Sequence, residues 1–451
     1  PRINIPDIDK LNDIDFENKL QKVKELQSHI RKMGVPQSHP YWGTALTVIL
    51  PAKKDIIHDK VQKLRASFEN MVFMLDEIGS ELNYKPQRFI DAEKLAATLD
   101  LCKSKPDITG FEVQSKLWES DELKIKKLVL DGIKLKGLFS KHQNLIMDEI
   151  YGQDLLEKRR IIAANKDKFL KFMSSEYKNA VKFVEGFFKV PQKVTPDKLL
   201  EIVDDVLEFN RTRLAVENTL PQYQGLFLSH AKGYWETNWN LLKNVSDFII
   251  QLQKGILQGS YAGEILPVLQ DSAIMDKLIK LLPNYKDSLV DFSEDLSQFN
   301  SEAEMKPGTG INLNSDDLAL ISEKISGWED GIETIFDIAA FNQYAEELRK
   351  LGLFDIVELS QVWRSAGEYL SYILDNERCQ ALLEKAYKER PELGRFDSIQ
   401  HREKIERFNE LDLYFMSNNI SRLLYEHWTN KPKPGSNNQG QMGVLLREFQ
   451  K

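Results

Sequence analysis

Apolar residues at helical spacing run through almost the whole chain. From Asp55 onward they recur at three- and four-residue steps, which is the pattern of amphipathic helices. One short strand could form between Leu46 and Leu50, but a single strand does not make a sheet. The predicted helices are 15–33, 55–80, 91–103, 121–150, 152–173, 174–188, 196–217, 232–255, 262–282, 285–299, 315–332, 333–351, 355–374, 376–389 and 401–428. The sequence therefore predicts an all-α fold of many separate helices.

The composition is that of a folded, soluble chain. Its 451 residues could hold about two to four domains, and 42% of them are hydrophobic, which is enough to fill the cores. No apolar run approaches the ~18–20 residues of a membrane span, and no signal peptide is visible. Cys102 and Cys379 lie too far apart in sequence to indicate a disulfide framework or a metal knuckle. We therefore expect a cytoplasmic protein without a membrane partner.

Charge is distributed unevenly along the chain. The net charge of −8 argues against a surface that is basic throughout, but basic residues cluster in 124–141 and 158–182. The segment 291–347 instead carries fourteen acidic residues and two lysines. The basic segments are the candidates for contact with a nucleic-acid backbone, and a solvated helix face is the alternative. The candidate contact residues are Lys124, Lys127, Lys134, Lys141, Lys158, Arg159 and Arg160.

No motif in the sequence indicates catalysis. The loop Lys306-Pro-Gly-Thr-Gly-Ile311 shares P-G-T-G with helicase phosphate-binding loops, but Ile311 and Asn312 stand where a phosphate site needs Lys and Ser/Thr. We therefore expect this loop to be a mobile linker. No strand ending in Asp-Glu is visible, so the chain should not hydrolyse ATP by itself, and we expect it to hold no metal and no cofactor of its own.

The histidines and the aromatic residues favour structural roles. No histidine pair has the spacing of a metal site, and carboxylate pairs such as Asp204-Asp205 fall on predicted helices. Trp235 and Trp239 stand four residues apart. Aromatic rings can stack on bases, but few cations lie near these two, so core packing is the favoured interpretation.

Several short motifs resemble, in order, those of one known family. Pro36-Gln-Ser-His-Pro-Tyr-Trp-Gly43 resembles a His-Pro-Trp-x-Gly turn. Tyr234-Trp-Glu-Thr-Asn-Trp239 resembles a W-x-G-x-x-T-D-W segment from which Glu236 and Asn238 depart. The later pieces are Ile325-Ser-Gly-Trp328, Leu351-Gly-Leu-Phe354, Asp375-Asn-Glu-Arg-Cys379, Pro391-Glu-Leu with His401, Phe408-Asn-Glu-Leu-Asp412, Arg422-Leu-Leu, Pro432 and Met442-Gly-Val-Leu-Leu-Arg-Glu-Phe449. This series resembles the helical insertion of the large bacterial superfamily 1 helicases.

The resemblance implies a role inside a longer protein. In that family the insertion lies within the first RecA-like motor domain, and many members end in a restriction-type nuclease domain. The parent protein would be an ATP-dependent DNA or RNA motor that uses ATP and Mg²⁺, in genome defence or nucleic-acid processing. This chain would be its non-catalytic arm, gripping nucleic acid or docking a partner beside the RecA-like domains of the same chain. That role is an analogy at the level of the fold.

An insertion leaves and re-enters its parent domain at neighbouring points. We therefore expect an elongated fold in which helix 15–33 runs antiparallel to helix 401–428 as a stalk. Burial of apolar side chains at ~1.5–3 kcal/mol each would hold the stalk more strongly than exposed ion pairs at ~0.2–1 kcal/mol. The expected parts of the chain are a stalk of 1–54 with 397–451, a bundle of 55–260 with the basic helices, and an acidic bundle of 261–396.

Two other classes of function stay open. A free-standing helical scaffold without an enzymatic parent would bind another protein through the acidic segment 291–347. A helical hydrolase with an unrecognised site would show turnover by the chain alone.

Overall fold

The structure is a computed structural model that describes residues 3, 5, 7–168, 173–395 and 397–417. This part of the chain forms sixteen α-helices and no β-strand, which confirms the all-α prediction. None of the described helices is both long and apolar enough to cross a membrane. The helices are α1 (Asp13–Met33), α2 (Pro51–Leu82), α3 (Phe89–Cys102), α4 (Leu117–Ser120), α5 (Glu122–His142), α6 (Leu156–Asn165), α7 (Ser175–Glu185), α8 (Pro196–Thr219), α9 (Gln224–Phe227), α10 (Trp239–Leu257), α11 (Ser272–Glu302), α12 (Leu318–Asp330), α13 (Ile335–Lys350), α14 (Phe354–Val362), α15 (Ala366–Glu389) and α16 (Ser398–Ser417).

Helix α11 crosses a proline at which the sequence predicts a break. Helices 262–282 and 285–299 are predicted separately, but α11 is continuous and contains Pro283. A proline inside a helix costs ~3 kcal/mol. Its neighbours Leu282 and Tyr285 are fully buried, and the Tyr285 hydroxyl donates a 2.8 Å hydrogen bond to the Ala92 carbonyl. This burial on both sides of the proline outweighs its cost and keeps the helix in one piece.

The described residues divide into two compact units. The first, called the terminal unit, combines residues up to His39 with those from Ala340 onward. The second, called the inserted unit, spans Pro40–Ala339. The three parts expected from the sequence, with boundaries near 54, 260 and 396, stay a prediction.

The terminal unit is built around the packing of α1 against α15. Phe16, Val23 and Leu26 lie on the buried face of α1, and Leu370 and Leu374 lie on the buried face of α15. The Arg31 guanidinium donates through Nε to the Gly367 carbonyl at 3.0 Å. The first helix thus joins a segment more than 300 residues away in sequence.

The predicted pairing of 15–33 with 401–428 is not confirmed. Helix α16 covers residues 398–417 of that segment, and residues 418–428 lie outside the described part of the chain. Of the apolar residues at helical spacing in α16, Ile405 is 53% exposed, and Phe408 and Leu411 are half-buried. The periodicity predicted α1 and the described part of α16, but it could not decide which C-terminal helix packs against α1. That partner is α15.

The inserted unit is organised around two helix pairs. Helix α2 lies along α11, where Phe68 and Phe292 pack with their ring centroids 5.4 Å apart. Helix α5 packs against both α8 and α10. Close approach of α10 needs a glycine, because a Cβ on Gly132 would overlap the indole ring of Trp239. This contact fixes which face of α5 is buried and which lysines point outward.

Candidate nucleic-acid interface

Helix α5 carries four of the seven predicted contact residues. Its apolar side chains Ile125, Leu128 and Leu135 are almost fully buried. Lys124, Lys127, Lys134 and Lys141 are all exposed on the outside of the helix. The sequence therefore places these lysines at the surface correctly, and their ionic partners decide what they can bind.

The N-terminal lysines of α5 pair with carboxylates close in sequence. Lys124 Nζ lies 3.0 Å from Asp121 Oδ1, and Lys127 Nζ lies 2.8 Å from Asp131 Oδ2. Between them, Lys126 donates to Glu122 over 2.7 Å. These are pairs at three- or four-residue spacing, each worth ~0.2–0.5 kcal/mol. They are weak enough for a phosphate to displace, but each displacement leaves a carboxylate facing that phosphate.

The C-terminal lysines of α5 pair with helix α8. Lys134 forms an ion pair with Glu208, and Lys141 Nζ lies 2.6 Å from Asp205 Oδ2 and 2.8 Å from Glu201 Oε1. Helix α5 carries six lysines and two acidic residues, a charge of +4, while α8 carries six acidic and three basic residues, a charge of −3. The sum for the two packed helices is +1. The concentration of positive charge seen along the sequence is therefore largely compensated in space.

A buried histidine strengthens this contact between α5 and α8. His142 is 2% exposed, and its Nε2 donates to Asp205 Oδ2 over 2.6 Å. Burial acts to raise the pKa of Asp205, but hydrogen bonds from Lys141 and His142 outweigh it and leave the pKa below its ordinary value. Hydrogen bonds from Lys141 and Lys198 lower the pKa of Glu201 to about 2. Both carboxylates are therefore ionised at neutral pH and hold the basic groups of α5 in place.

The remaining three predicted residues lie on α6. Arg159 pairs with Asp204 of α8, with Nη2 3.2 Å from Oδ2. The Lys158 ammonium lies 5.5 Å from the centroid of the Phe183 ring, a cation–π contact. Arg160 is exposed. Across the seven predicted residues, five have a carboxylate partner.

The residues that sequence reasoning missed are the acidic residues of α8. Glu201, Asp204, Asp205 and Glu208 recur at three- and four-residue steps and form one face of that helix. Glu201 and Glu208 stand seven residues apart, as do Lys134 and Lys141, so a signal is present in the sequence. Only the tertiary structure shows that the acidic face of α8 packs beside the lysines of α5.

Part of the acidic segment 291–347 is also paired with basic residues. Three of these pairs are made with the basic N-terminal half of α2. Lys53 Nζ lies 2.6 Å from Glu302 Oε2, and Lys54 Nζ lies 2.7 Å from Glu333 Oε1. Arg65 pairs with Glu329. The acidic surface expected for a scaffold is therefore partly used to hold α2 against α11 and its neighbours.

The glycine loop 306–311 is joined to other segments by hydrogen bonds, although Lys306, Pro307 and Gly308 are exposed. Its predicted role as a mobile linker stays a prediction. The Lys306 amide donates to the Gly43 carbonyl over 2.9 Å, and Lys324 Nζ donates to the Gly310 carbonyl over 2.6 Å. Six residues separate Ile311 from the start of α12 at Leu318, so no helix begins directly after the loop as in a phosphate-binding loop. The loop closes over a turn that also belongs to the resemblance.

Two motif pieces of the resemblance meet beside this loop. The Tyr41 hydroxyl donates to the Trp328 carbonyl over 2.6 Å, and Trp328 Nε1 donates to the Pro40 carbonyl over 2.9 Å. Both rings are almost fully buried, and the Trp328 ring lies 4.3 Å from the Phe299 ring. Packing alone accounts for these motif residues. The pieces from Arg422 to Phe449 lie outside the described residues.

The aromatic pair at 235 and 239 is mainly structural. Trp239 is 2% exposed, as core packing predicts, and its Nε1 donates to the Tyr234 carbonyl over 2.9 Å. Trp235 is 44% exposed and meets the Phe139 ring edge-on at 4.3 Å. Among the residues that the structure describes, no group of three or more His, Cys, Asp or Glu side chains is arranged to hold a metal ion.

Comparisons of the chain with protein-family models, with curated proteins and with solved structures find no match.

Proposed function

We propose that this chain is a non-catalytic helical arm of an ATP-dependent superfamily 1 helicase. The ordered motif pieces support the family, and the packing of α1 against α15 is the observation that carries the proposal. An arm inserted into another domain must begin and end close together in space. The terminal unit joins segments from both ends of the described chain, and residues 40–339 are inserted between them in sequence.

The contact between α1 and α15 is specific enough to form the base of such an arm. Gln27 Nε2 donates to the Glu368 carbonyl over 2.9 Å, and Gln27 Oε1 accepts from the Ser371 amide over 2.7 Å. A Cβ on Gly367 would lie 3.0 Å from Arg31 Cα, so the two helices approach closely there. In the proposal, residues 401–428 continue the stalk next to this pair. The RecA-like domains of the same chain, which would hold ATP and Mg²⁺, are the proposed neighbours.

Two modes of action belong to this proposal: gripping nucleic acid and docking a partner. The carboxylate partners of the basic residues favour docking, because a phosphate backbone would meet a surface of nearly balanced charge. Nucleic-acid contact stays testable, since exposed ion pairs contribute only ~0–1 kcal/mol and can exchange partners.

Salt-dependent binding of DNA or RNA to the full chain distinguishes the two modes. If four or five basic residues neutralise phosphates, the slope of log affinity against log salt should be about −3 to −4. Changing Lys127→Gln, Lys134→Gln and Lys141→Gln together should then flatten the slope by about 2–3. The matched control changes three lysines that are exposed on other parts of the chain to Gln, namely Lys32, Lys280 and Lys306. Binding without a salt slope, or a slope equal in both triple variants, removes nucleic-acid contact by these residues.

The helicase parent is tested by reading the gene on both sides of this chain. The proposal requires a G-x-x-x-x-G-K-[ST] stretch upstream and an apolar strand ending in Asp-Glu downstream. A reading frame without either motif would remove the helicase and leave the alternative, a helical scaffold that binds another protein.

A further inference from the structure

Helix α15 carries a stripe of large side chains that are exposed in the part of the chain that the structure describes. Tyr369, Tyr372, Leu383 and Tyr387 are 50%, 67%, 53% and 44% exposed. At ~100° per residue they fall within one narrow sector of the helix, and they span ~27 Å along its axis. We call these four residues the α15 stripe. Asn376, Cys379 and Gln380 fill the gap in its middle and are also exposed.

The stripe lies on the side of α15 away from its buried face, although the Tyr369 ring lies 6.4 Å from the Trp363 ring. Ala366, Leu370 and Leu374 on the other side of α15 are fully buried against the terminal unit, including α1. The centres of the two faces lie ~130° apart around the helix. Packing against α1 therefore fixes the rotation of α15 and holds the stripe outward as a rigid surface.

The chemistry of the stripe suits a protein partner. Tyrosine combines a large apolar ring with a hydroxyl and loses little conformational entropy on binding, so it is enriched in protein interfaces. Helix α15 itself carries five acidic and three basic residues, a net charge of −2. This charge is unfavourable for a phosphate backbone.

We propose that the stripe binds the α15 stripe of a second copy of this chain, in an antiparallel arrangement about a two-fold axis near residue 378. The stripe is self-complementary under that symmetry. Tyr369 would meet Tyr387 of the partner subunit, and Tyr372 would meet Leu383 of the partner subunit. Asn376 would lie opposite Gln380 of the partner subunit, where the two amides can exchange hydrogen bonds.

Charge at the two ends of the helix selects the antiparallel direction. Glu368 is exposed at the N-terminal end, and Arg390 is exposed just beyond the C-terminal end. Antiparallel packing brings these opposite charges together twice, once at each end. Parallel packing would place like charges against each other and would also align the helix dipoles unfavourably.

The available area indicates a weak dimer. The exposed half of each stripe side chain offers ~100 Å², so the four give ~400 Å² per copy and ~800 Å² for the pair. The three polar residues in the middle bring the total to ~1,000–1,200 Å², which is the lower limit for a specific interface. We therefore expect a dissociation constant in the micromolar range.

Sedimentation equilibrium of the full chain over about 1–100 µM tests the proposal. A monomer–dimer equilibrium is expected, and Tyr372→Glu should weaken it at least tenfold. Phe73→Glu, at a ring that is 59% exposed on α2, is the matched control and should leave it unchanged. Both positions are exposed, so both variants should fold. A chain that stays monomeric over this range, or a dimer that Tyr372→Glu leaves intact, overturns the proposal.

Charge reversal tests the direction of packing. Glu368→Arg and Arg390→Glu should each weaken the dimer several-fold, and the double variant should restore it. In a parallel dimer, reversing one residue would exchange one like-charge pair for another and change little.

Cys379 lies next to the proposed axis, with an expected Cα–Cα separation of ~6–7 Å, within reach of a disulfide. Mild oxidation should give a covalent dimer that Cys379→Ser abolishes, while the buried Cys102 stays unreactive. Absence of this cross-link, or a double variant as weak as the single ones, contradicts the antiparallel arrangement.

Discussion

Replacing Gly132 by alanine tests which face of α5 is buried. In an exposed helix interior this change gains ~1 kcal/mol of helix propensity. At Gly132 the new methyl group would overlap the indole ring of Trp239, which is 2% exposed and has no room to retreat. Overpacking of this kind costs ~1–3 kcal/mol, so after the gain in helix propensity the net destabilisation should be about 0–2 kcal/mol.

Gly137 on the same helix provides the matched control. A Cβ at Gly137 would meet nothing within 4 Å, so Gly137→Ala should stabilise the chain by ~0.5–1 kcal/mol. The gain in helix propensity is common to both variants, so their stabilities should differ by the overpacking cost of ~1–3 kcal/mol. Urea unfolding followed by tryptophan fluorescence and by circular dichroism measures the difference. If Gly132→Ala is as stable as Gly137→Ala, α5 does not pack against α10 as described, and the outward direction of its lysines is wrong.

Three further predictions concern polar contacts between helices. Asp205→Ala removes the partner of the buried His142 and should cost ~1–3 kcal/mol of unfolding free energy in urea titrations. The pKa values of Glu201 and Asp205 are lowered in the folded state, so their stabilising contribution is present above pH ~4.5 and is lost as the pH falls toward 2. The urea midpoint of unfolding should therefore fall as the pH is lowered over this range. The fall should be smaller in Lys141→Gln than in the unchanged chain. Gln27→Ala removes two hydrogen bonds between α1 and α15, and faster amide exchange in both helices should report the loss.

The predictions for Asp205 and Gln27 each have a control in the same helix. Asp197→Ala, where the carboxylate is 79% exposed beside Lys166, should cost less than ~1 kcal/mol. Gln21→Ala on the outer side of α1 should leave amide exchange in α15 unchanged. Equal effects of the buried and the exposed variants would contradict the contacts assigned to Asp205 and Gln27. A pH profile that Lys141→Gln leaves unaltered would contradict the role of the Lys141 pairs.

Helical periodicity was sufficient to predict the class of fold and most of the helices. The predicted helix 15–33 corresponds to α1, because Asn12 caps its start and Gly34 ends it with a positive φ of 88°. Local rules failed where tertiary burial competes with them. Pro283 is an ordinary helix breaker in the sequence, but the buried Leu282 and Tyr285 on either side keep α11 continuous.

The candidate site was harder to predict than the fold. The positions of the basic residues on the surface follow from the amphipathic pattern of α5. Their electrostatic environment depends on α8, about 60–75 residues later, and no local pattern states that Lys134 faces Glu208 or that Lys141 faces Asp205. The same limit applies to the stalk, because α15 and α16 both show helical periodicity and only the contacts choose between them.

A designed disulfide between α1 and α15 tests the central claim most directly. A Cβ on Gly367 would lie 3.4 Å from Arg31 Cβ, close to the Cβ–Cβ distance of a disulfide. In a Cys379→Ser background, Arg31→Cys with Gly367→Cys should form an intramolecular disulfide under mild oxidation, which peptide mapping identifies. The contrary result is that this pair fails to cross-link while Arg31→Cys cross-links to a cysteine placed in α16. It would show that α1 packs against α16 and not against α15.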